Sequence, residues 1–313
     1  MTTVAPAAFL AVCGHTNLDV HLQVQDLPRP GQSVPVLERR TLWGGTAANI
    51  ARQAAGLGVP TRMWSRVGDD FPAAWRQALA DEGVDLAFLE TVRGGRTPTC
   101  FILTDLLDRQ CYAIDQGPMA RMEEAPIGKE FLNGLPDGAW LHVSTGNPIA
   151  YAQVAHAARD SGLHVGFDPG QEMRFQYDTR SFEGLLDTAE VFFCNEEELR
   201  VACDFLSYGD PVQFLDHVDA VVVTRAAKGA SLYRSGKKAV TVPAFPTRVV
   251  DPTGAGDALR AGWYAALRAG KGMEEALRWG NAAAALKLPH MGGQEHVLRM
   301  PEMARLLEKE TLA

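Results

Sequence analysis

Val250-Asp251-Pro252-Thr253-Gly254-Ala255-Gly256-Asp257-Ala258-Leu259-Arg260-Ala261-Gly262 joins a turn, a glycine-rich bend and the start of an apolar helix. Leu259, Trp263 and Leu267 recur every fourth residue, so one side of that helix is core. The small residues Gly254, Ala255 and Gly256 let successive backbone N–H groups converge without a side chain in the way. The helix adds its positive N-terminal end, which favours an anion. Asp257 is unexpected there, because a carboxylate competes with a bound anion. Two readings stay open on the residues alone. Asp257 is a base that takes a proton from a group attacking the anion, or it is an ordinary helix cap.

Upstream, short apolar runs alternate with helical patterns. Phe9–Cys13, Thr61–Val67, Trp140–Val143, His164–Phe167, Val191–Cys194 and Ala220–Thr224 read as strands. Phe71–Glu82, Ala150–Arg159 and Phe182–Asp187 read as helices between them, with Glu274–Leu286 and Pro301–Glu310 closing the chain. Ala230–Tyr233 and Ala239–Val242 read as a short antiparallel pair. This rhythm predicts a doubly wound α/β fold, a mainly parallel sheet with helices on both faces. Two segments depart from it. Val20–Val36 partly alternates and breaks at Pro28, Pro30 and Gly31, and Thr97–Leu103 with Gln110–Ile114 reads as a hairpin. Together they predict a small separate sheet.

Polar residues gather where the strands end: Asp19, Asn147, Asp168, Asn195 with Glu198, Thr224 and Asp257. Ligands bind at that edge of open α/β sheets. One such residue is usually a turn former, but six on one edge read as a chemical rim. Gly44-Gly45 opens a helix with Asn49 one turn in, a second place for close backbone approach. Asn195 and Glu198 are spaced to share one face of a turn, which suits water-mediated Mg²⁺ or a capped helix start. His15 and His142 lie in or beside strands without partner ligands and read as structural. Arg39-Arg40 reads as surface.

The chain of 313 residues is 46% hydrophobic and 22% charged, enough for a substantial core. Its net charge of −8 argues against a nucleic-acid surface. Five cysteines without C-x-x-C spacing fit reduced thiols in a cytoplasmic protein. The apolar stretch Ala7–Cys13 lacks a basic leader and reads as a buried first strand rather than a secretion signal, and no run is long enough to span a membrane. Walker, G-x-G-x-x-G and G-x-S-x-G signatures are absent.

Asp251-Pro252-Thr253-Gly254-Ala255-Gly256-Asp257 closely resembles the second signature of the ribokinase (PfkB) family of sugar and nucleoside kinases. Gly44-Gly45 with Asn49 resembles its first glycine signature, Gly68-Asp69-Asp70 a common element soon after, and Asn195-Glu196-Glu197-Glu198 its N-x-x-E motif. Thr224–Gly229 is similar to its nucleotide loop, with Ala226 where glycine is usual. Gly280–Leu286 is similar to its adenine-side helix. The resemblance runs in order over nearly the whole chain. It implies one ribokinase-like kinase domain over 1–313 with a β-sheet lid at about 18–43 and 97–116, and phosphoryl transfer from ATP to a primary alcohol. In that frame Asp257 is the base, and the backbone N–H groups of Gly254, Ala255 and Gly256 hold the phosphoryl charge. Asn17, Asp19, Gly44, Gly45, Asn49 and Asp168 bind substrate, and Asn195, Thr224, Arg225, Gly229 and Asn281 border the nucleotide. Glu198 orders Mg²⁺ through water, and Asp251 and Thr253 fall where many members bind K⁺. Arg260 pairs either with a phosphate or with a nearby acid. The expected acceptor is a ribonucleoside or a sugar. Hexoses and sugar phosphates stay open, the latter calling for a basic cluster among Arg62, Arg66, Arg93, Arg96, Arg109 and Arg174. Trp43 is placed either to stack on a base or to fill core. A homodimer through the lid is a further expectation. The rival class is a non-catalytic ligand-binding protein on the same fold.

Overall fold

The apolar runs at Leu10–Cys13, Trp140–Val143, Val191–Asn195 and Ala220–Thr224 are short and hydrophobic on consecutive residues, the pattern of strands covered on both faces. A computed structural model, which describes residues 9–107, 109–124 and 127–311, sets them in one sheet. Ala7 and Ala8 of the apolar N-terminal stretch lie outside the described residues. The strands are β1 (Leu10–Cys13), β2 (Asn17–Val24), β3 (Val36–Gly44), β4 (Thr61–Gly68), β5 (Asp85–Val92), β6 (Thr99–Thr104), β7 (Gln110–Asp115), β8 (Trp140–Val143), β9 (His164–Phe167), β10 (Val191–Asn195), β11 (Ala220–Thr224), β12 (Ala230–Arg234) and β13 (Val240–Val242). The helices are α1 (Thr46–Gly56), α2 (Ala73–Asp81), α3 (Pro148–Asp160), α4 (Met173–Gln176), α5 (Thr179–Leu186), α6 (Glu196–Leu206), α7 (Ala255–Arg268), α8 (Met273–Lys287) and α9 (Met300–Thr311).

The large sheet runs β13-β12-β11-β10-β9-β8-β1-β4-β5. It is parallel from β11 to β5, with β12 and β13 added antiparallel. Alternate residues of each strand feed two cores. Leu10 and Val12, Val191 and Phe193, and Ala220 and Val222 face the core that holds α1, α7 and α8. Ala11 and Cys13, Phe192 and Cys194, and Val221 and Val223 face the core that holds α3 and α5. The helices therefore cover both faces, as the alternation of elements predicts.

A separate four-stranded sheet has the order β3-β2-β6-β7. β2 and β6 pair in parallel, and β6 and β7 form the expected hairpin. The Gly68-Asp69-Asp70 turn fastens the crossing into this sheet, since Asp69 accepts from Gly94 N (2.6 Å) and Asp70 from Thr97 N (2.6 Å). Two details differ from the sequence reading. The strands flanking Pro28–Gly31 are β2, ending at Val24, and β3, which carries exposed Arg39 and Arg40. β5 has no counterpart in that reading: it is an edge strand with only Leu89 buried, so it lacks the alternation that marks a half-buried strand.

Candidate active site

The chain leaves β1 at Cys13 and enters β2 at Asn17, so Asn17 and Asp19 stand at the start of β2, where the chain crosses from the large sheet into the small one. Asn17 donates to Asp19 Oδ1 (2.6 Å). Burial pushes the Asp19 carboxyl up to about 7 against that hydrogen bond. Gly44, paired across from Asn17, is glycine because the Asp19 carboxylate fills the space of a side chain: a Cβ there would lie 2.1 Å from Asp19 Oδ2.

Gly45 opens α1 at φ +93°, and one turn later Asn49 donates Nδ2–H to Asp257 Oδ2 (2.7 Å). The Asn49 amide is oriented from behind. Its Oδ1 accepts from Gln294 Nε2 (3.0 Å), and Gln294 Oε1 accepts from Trp75 Nε1 (2.9 Å). Gln294 is 1% exposed and was not legible as a site residue. The only local signal is a polar residue after Gly292-Gly293, where a glycine pair again marks close approach.

Gly254 precedes α7 in the left-handed region, φ +76°, with Gly293 Cα where its Cβ would lie (2.8 Å). The helix start has no side-chain cap, so its first N–H groups are available to a ligand. One expected donor is corrected. Ala255 N–H closes a turn onto Pro252 O (3.1 Å), which leaves Gly254 and Gly256 as the free donors of the bend. Asp257 follows in the first turn of α7. Burial pushes its carboxyl up to about 6, Asp168 adds to the rise, and Asn49, Arg260 and Lys287 oppose it.

Arg260, one turn further, is buried and pairs with Asp168 (Nε to Oδ2, 2.9 Å). Of the two expectations for Arg260, the nearby acid is the one observed. Asp168, expected to bind substrate, spends Oδ2 on this pair and borders the third cavity rather than the first. Burial works against the Arg260 charge, but Asp168, Glu198 and Asp257 together raise its pKa. Asn195 and Glu198 form a reciprocal cap on α6. Asn195 Oδ1 accepts from Glu197 N and Glu198 N, and Glu198 Oε2 accepts from Asn195 N (2.8 Å). Burial and then Asp168 raise the Glu198 carboxyl to about 7.

These residues border three adjoining cavities. The first, about 480 Å³, holds Asn17, Asp19, Gly45, Asn49 and Asp257, with Ile102, Tyr112 and Ile114 from the small sheet. The second, about 810 Å³, is lined by Thr224, Arg225, Gly229, Phe245, Leu259, Asn281 and Gly256. The third, about 720 Å³, lies between them and contains Asp168, Glu198, Gly256, Asp257 and Arg260. Asn195 lines all three. Thr253 lines the first, and Asp251 is buried beneath the bend.

Several expectations change here. Asn147 caps α3 (Ile149 N to Oδ1, 2.9 Å) and lines none of the three cavities. Trp43 stacks on Trp75 (5.7 Å) within the core, so it is not a base platform. His142 is structural: it meets Tyr264 Oη (2.7 Å), and burial drops its pKa to about 3. His15, read as structural from the sequence, stands at the cavity wall. It lines the first cavity, touches Thr145 Oγ1 (3.0 Å) and Gln116 Oε1, and lies 3.5 Å from buried Glu172. Asn281 borders the second cavity while donating to Val242 O (2.8 Å) and Pro243 O (3.1 Å). No arginine or lysine among the described residues lines the first cavity. Arg62, Arg66 and Arg109 pair with Asp85, Glu90 and Asp105, and Arg174 lines the third cavity beside Glu197.

A family model described as pfkB family carbohydrate kinase matches residues 7–299. The chain belongs to that family. Family relatives include a nucleoside kinase of Methanocaldococcus jannaschii, 30% identical over 301 residues and 96% of each chain. An ATP-dependent ribose-1-phosphate kinase of Halopiger xanaduensis is 29% identical, over 90% of this chain and 92% of that one. The crystal structure of the M. jannaschii nucleoside kinase, an archaeal member of the ribokinase family, matches with a TM-score of 0.88 at 28% identity, over 96% of this chain and 98% of that one. The pfkB chain described here is thus a phosphotransferase of the carbohydrate and nucleoside kinase class with a ribokinase fold.

Proposed function

We propose that the protein transfers the γ-phosphoryl group of ATP to the primary hydroxyl of a ribonucleoside or free sugar, with Asp257 as general base. The observation that carries this reading is the position of Asp257. It borders both the first and third cavities, and its neighbour Gly256 borders the second and third. An acceptor in the first cavity therefore meets a nucleotide from the second at the foot of α7.

The first cavity suits a ribose. Asn17, Asp19, Gly45 and Asn49 offer acceptors and donors to vicinal hydroxyls, and Ile102, Tyr112 and Ile114 offer an apolar wall to a nucleobase. With no cation lining it, the cavity favours a neutral acceptor over a sugar phosphate. The second cavity, with Phe245, Leu259 and the alanines of α8, suits the adenine.

Asp257 Oδ2 is held by Asn49, leaving Oδ1 to accept the proton of the attacking hydroxyl. The free N–H groups of Gly254 and Gly256 and the α7 terminus stabilise charge on the transferred group. The residues fit Mg²⁺ held through water: Asp168, Glu197, Glu198 and Asp257 outnumber Arg174 and Arg260 around the third cavity. Glu198 and its acidic neighbours would hold Mg²⁺ through water, and the bound ion would supply neutralisation of phosphate charge. The small sheet acts as a lid that excludes water, and its exposed Val36, Leu37 and Phe101 suit pairing of two copies.

An ATP-consumption screen across ribonucleosides, ribose, hexoses and sugar phosphates tests the reading. Turnover is expected with nucleosides or free sugars, and its absence with every acceptor contradicts the reading.

A further inference from the structure

Lys287 is a charged side chain that the reaction as described does not use. It sits in the last turn of α8 and is 1% exposed. A lysine so deeply buried needs a partner, because an unpaired ammonium away from water is costly. Its partner is the backbone of the phosphate-facing bend: Nζ donates to Asp251 O (2.6 Å). Placement at the C-terminal end of a helix also favours the positive charge. Burial lowers the lysine pKa, and Asp251 and Asp257 oppose the shift.

The oxygens of Asp251 are all engaged. Oδ1 accepts from Thr253 N (2.9 Å), Oδ2 accepts from Gly292 N (2.7 Å), and the carbonyl accepts from Lys287. Asp251 and Val250 in turn donate to Leu288 O (3.2 and 2.9 Å), so the bend is fastened to the end of α8. K⁺ does not fit this arrangement. Each Asp251 oxygen already spends one lone pair on a hydrogen bond, and a K⁺ placed about 5 Å from the ammonium meets repulsion of roughly 3 kcal/mol at an effective dielectric of about 20. The Lys287 ammonium already sets a positive charge against the Asp251 carboxylate.

We infer that Lys287 is a built-in monovalent cation, holding the Asp251–Gly254 bend in the conformation that presents the Gly254 and Gly256 N–H groups, so that this kinase needs no K⁺. Lys287 is a positioning residue: it touches neither substrate nor the reacting atoms and acts through Asp251. The inference rests on the kinase reading for its rate consequences but not for its binding consequence.

The binding consequence is tested first, without activity. Crystals of the wild-type protein soaked in Rb⁺ are expected to show no anomalous peak beside Asp251, whereas Lys287→Met crystals are expected to gain one. A wild-type Rb⁺ peak at Asp251 overturns the inference, even if the protein proves to be a kinase. With the best acceptor, wild-type kcat is expected to be the same within about 1.5-fold in choline chloride and in KCl. Lys287→Met is expected to lose about 10-fold or more in choline and to regain most of it in K⁺ or NH₄⁺, in line with ~1.4 kcal/mol per tenfold. Saturable wild-type activation by K⁺, or a folded variant that no monovalent cation rescues, overturns it. If no acceptor is turned over, the kinase reading fails while the Rb⁺ result still decides the role of Lys287.

Discussion

Asn49 donates its amide hydrogen to Asp257 Oδ2 at 2.7 Å, joining α1 to α7 across 208 residues of sequence. The amide faces the right way because Gln294 Nε2 holds its oxygen, and Trp75 holds Gln294 in turn. A three-residue relay from the core therefore sets how one oxygen of the proposed base is occupied.

Gln294→Ala releases the Asn49 amide to rotate and leaves Trp75 Nε1 buried without an acceptor. The expected stability loss is about 1–3 kcal/mol, the usual cost of a stranded buried donor. The functional signature is an upward shift in the acid limb of the kcat/KM profile, since Asp257 loses a hydrogen bond that favours its ionised form. A pH–rate profile identical to wild type, with only stability reduced, leaves Gln294 a packing residue.

The pH dependence of the wild type has a definite sign. Burial places the Asp257 carboxyl at about 6, and only its ionised form accepts a proton. Turnover should fall as pH drops through the Asp257 value of about 6, and in kcat/KM the fall begins nearer pH 7, where Asp19 and Glu198 take up protons. Steady-state kcat/KM between pH 5 and 8 measures this. A flat profile to pH 5 conflicts with Asp257 as the base.

Ala226 adopts φ +48°, a left-handed conformation in the loop beside Arg225 and Gly229. The family resemblance places glycine there, and the backbone keeps the glycine shape at a cost of about 1–2 kcal/mol for alanine. Glycine removes that strain but adds unfolded-state freedom of roughly 0.5–1 kcal/mol. Ala226→Gly should therefore stabilise by about 0.5–1 kcal/mol in thermal or chemical unfolding, with nucleotide affinity unchanged or tighter. Destabilisation would show the strain to be absent.

Gly44→Ala drives a Cβ into the Asp19 carboxylate, 2.1 Å from Oδ2. Asp19 must then leave its place above the first cavity. The acceptor KM is expected to rise about 10-fold or more, with the KM for ATP little changed, since positioning of one substrate is lost. Equal effects on both substrates would argue that Gly44 serves the fold alone.

Much of this was legible from residues. Consecutive apolar runs announced strands buried on both faces, and the broken alternation at Val20–Val36 set apart the small sheet. The bend at Gly254–Asp257 was legible because glycines, an acid and a helix start lie within a few residues. What escaped shares a physical cause, contact between distant segments. Gln294 matters through Asn49 and Lys287 through Asp251, and neither has a local pattern. The pairing of Arg260 with Asp168 stayed one of two options because burial decides between a phosphate and an acid. β5 was missed because an edge strand with one buried residue carries no alternation. The engaged N–H of Ala255 is a turn geometry that composition does not specify.

The central claim is that Asp257 takes the acceptor's proton. Its raised pKa supplies a stability check with a definite sign. Between about pH 4 and 6 the folded state holds a proton that the unfolded chain has lost, so stability falls as pH rises through that window. At pH 8 Asp257→Asn should therefore be as stable as wild type or more so, by on the order of 1–2 kcal/mol after partial exposure is allowed for. The deciding measurement is kcat of Asp257→Asn at pH 8 with the best acceptor from the screen. A loss of roughly 10²–10⁴, in a protein that folds and binds ATP as before, is the predicted result. Turnover within a few-fold of wild type would contradict the assignment.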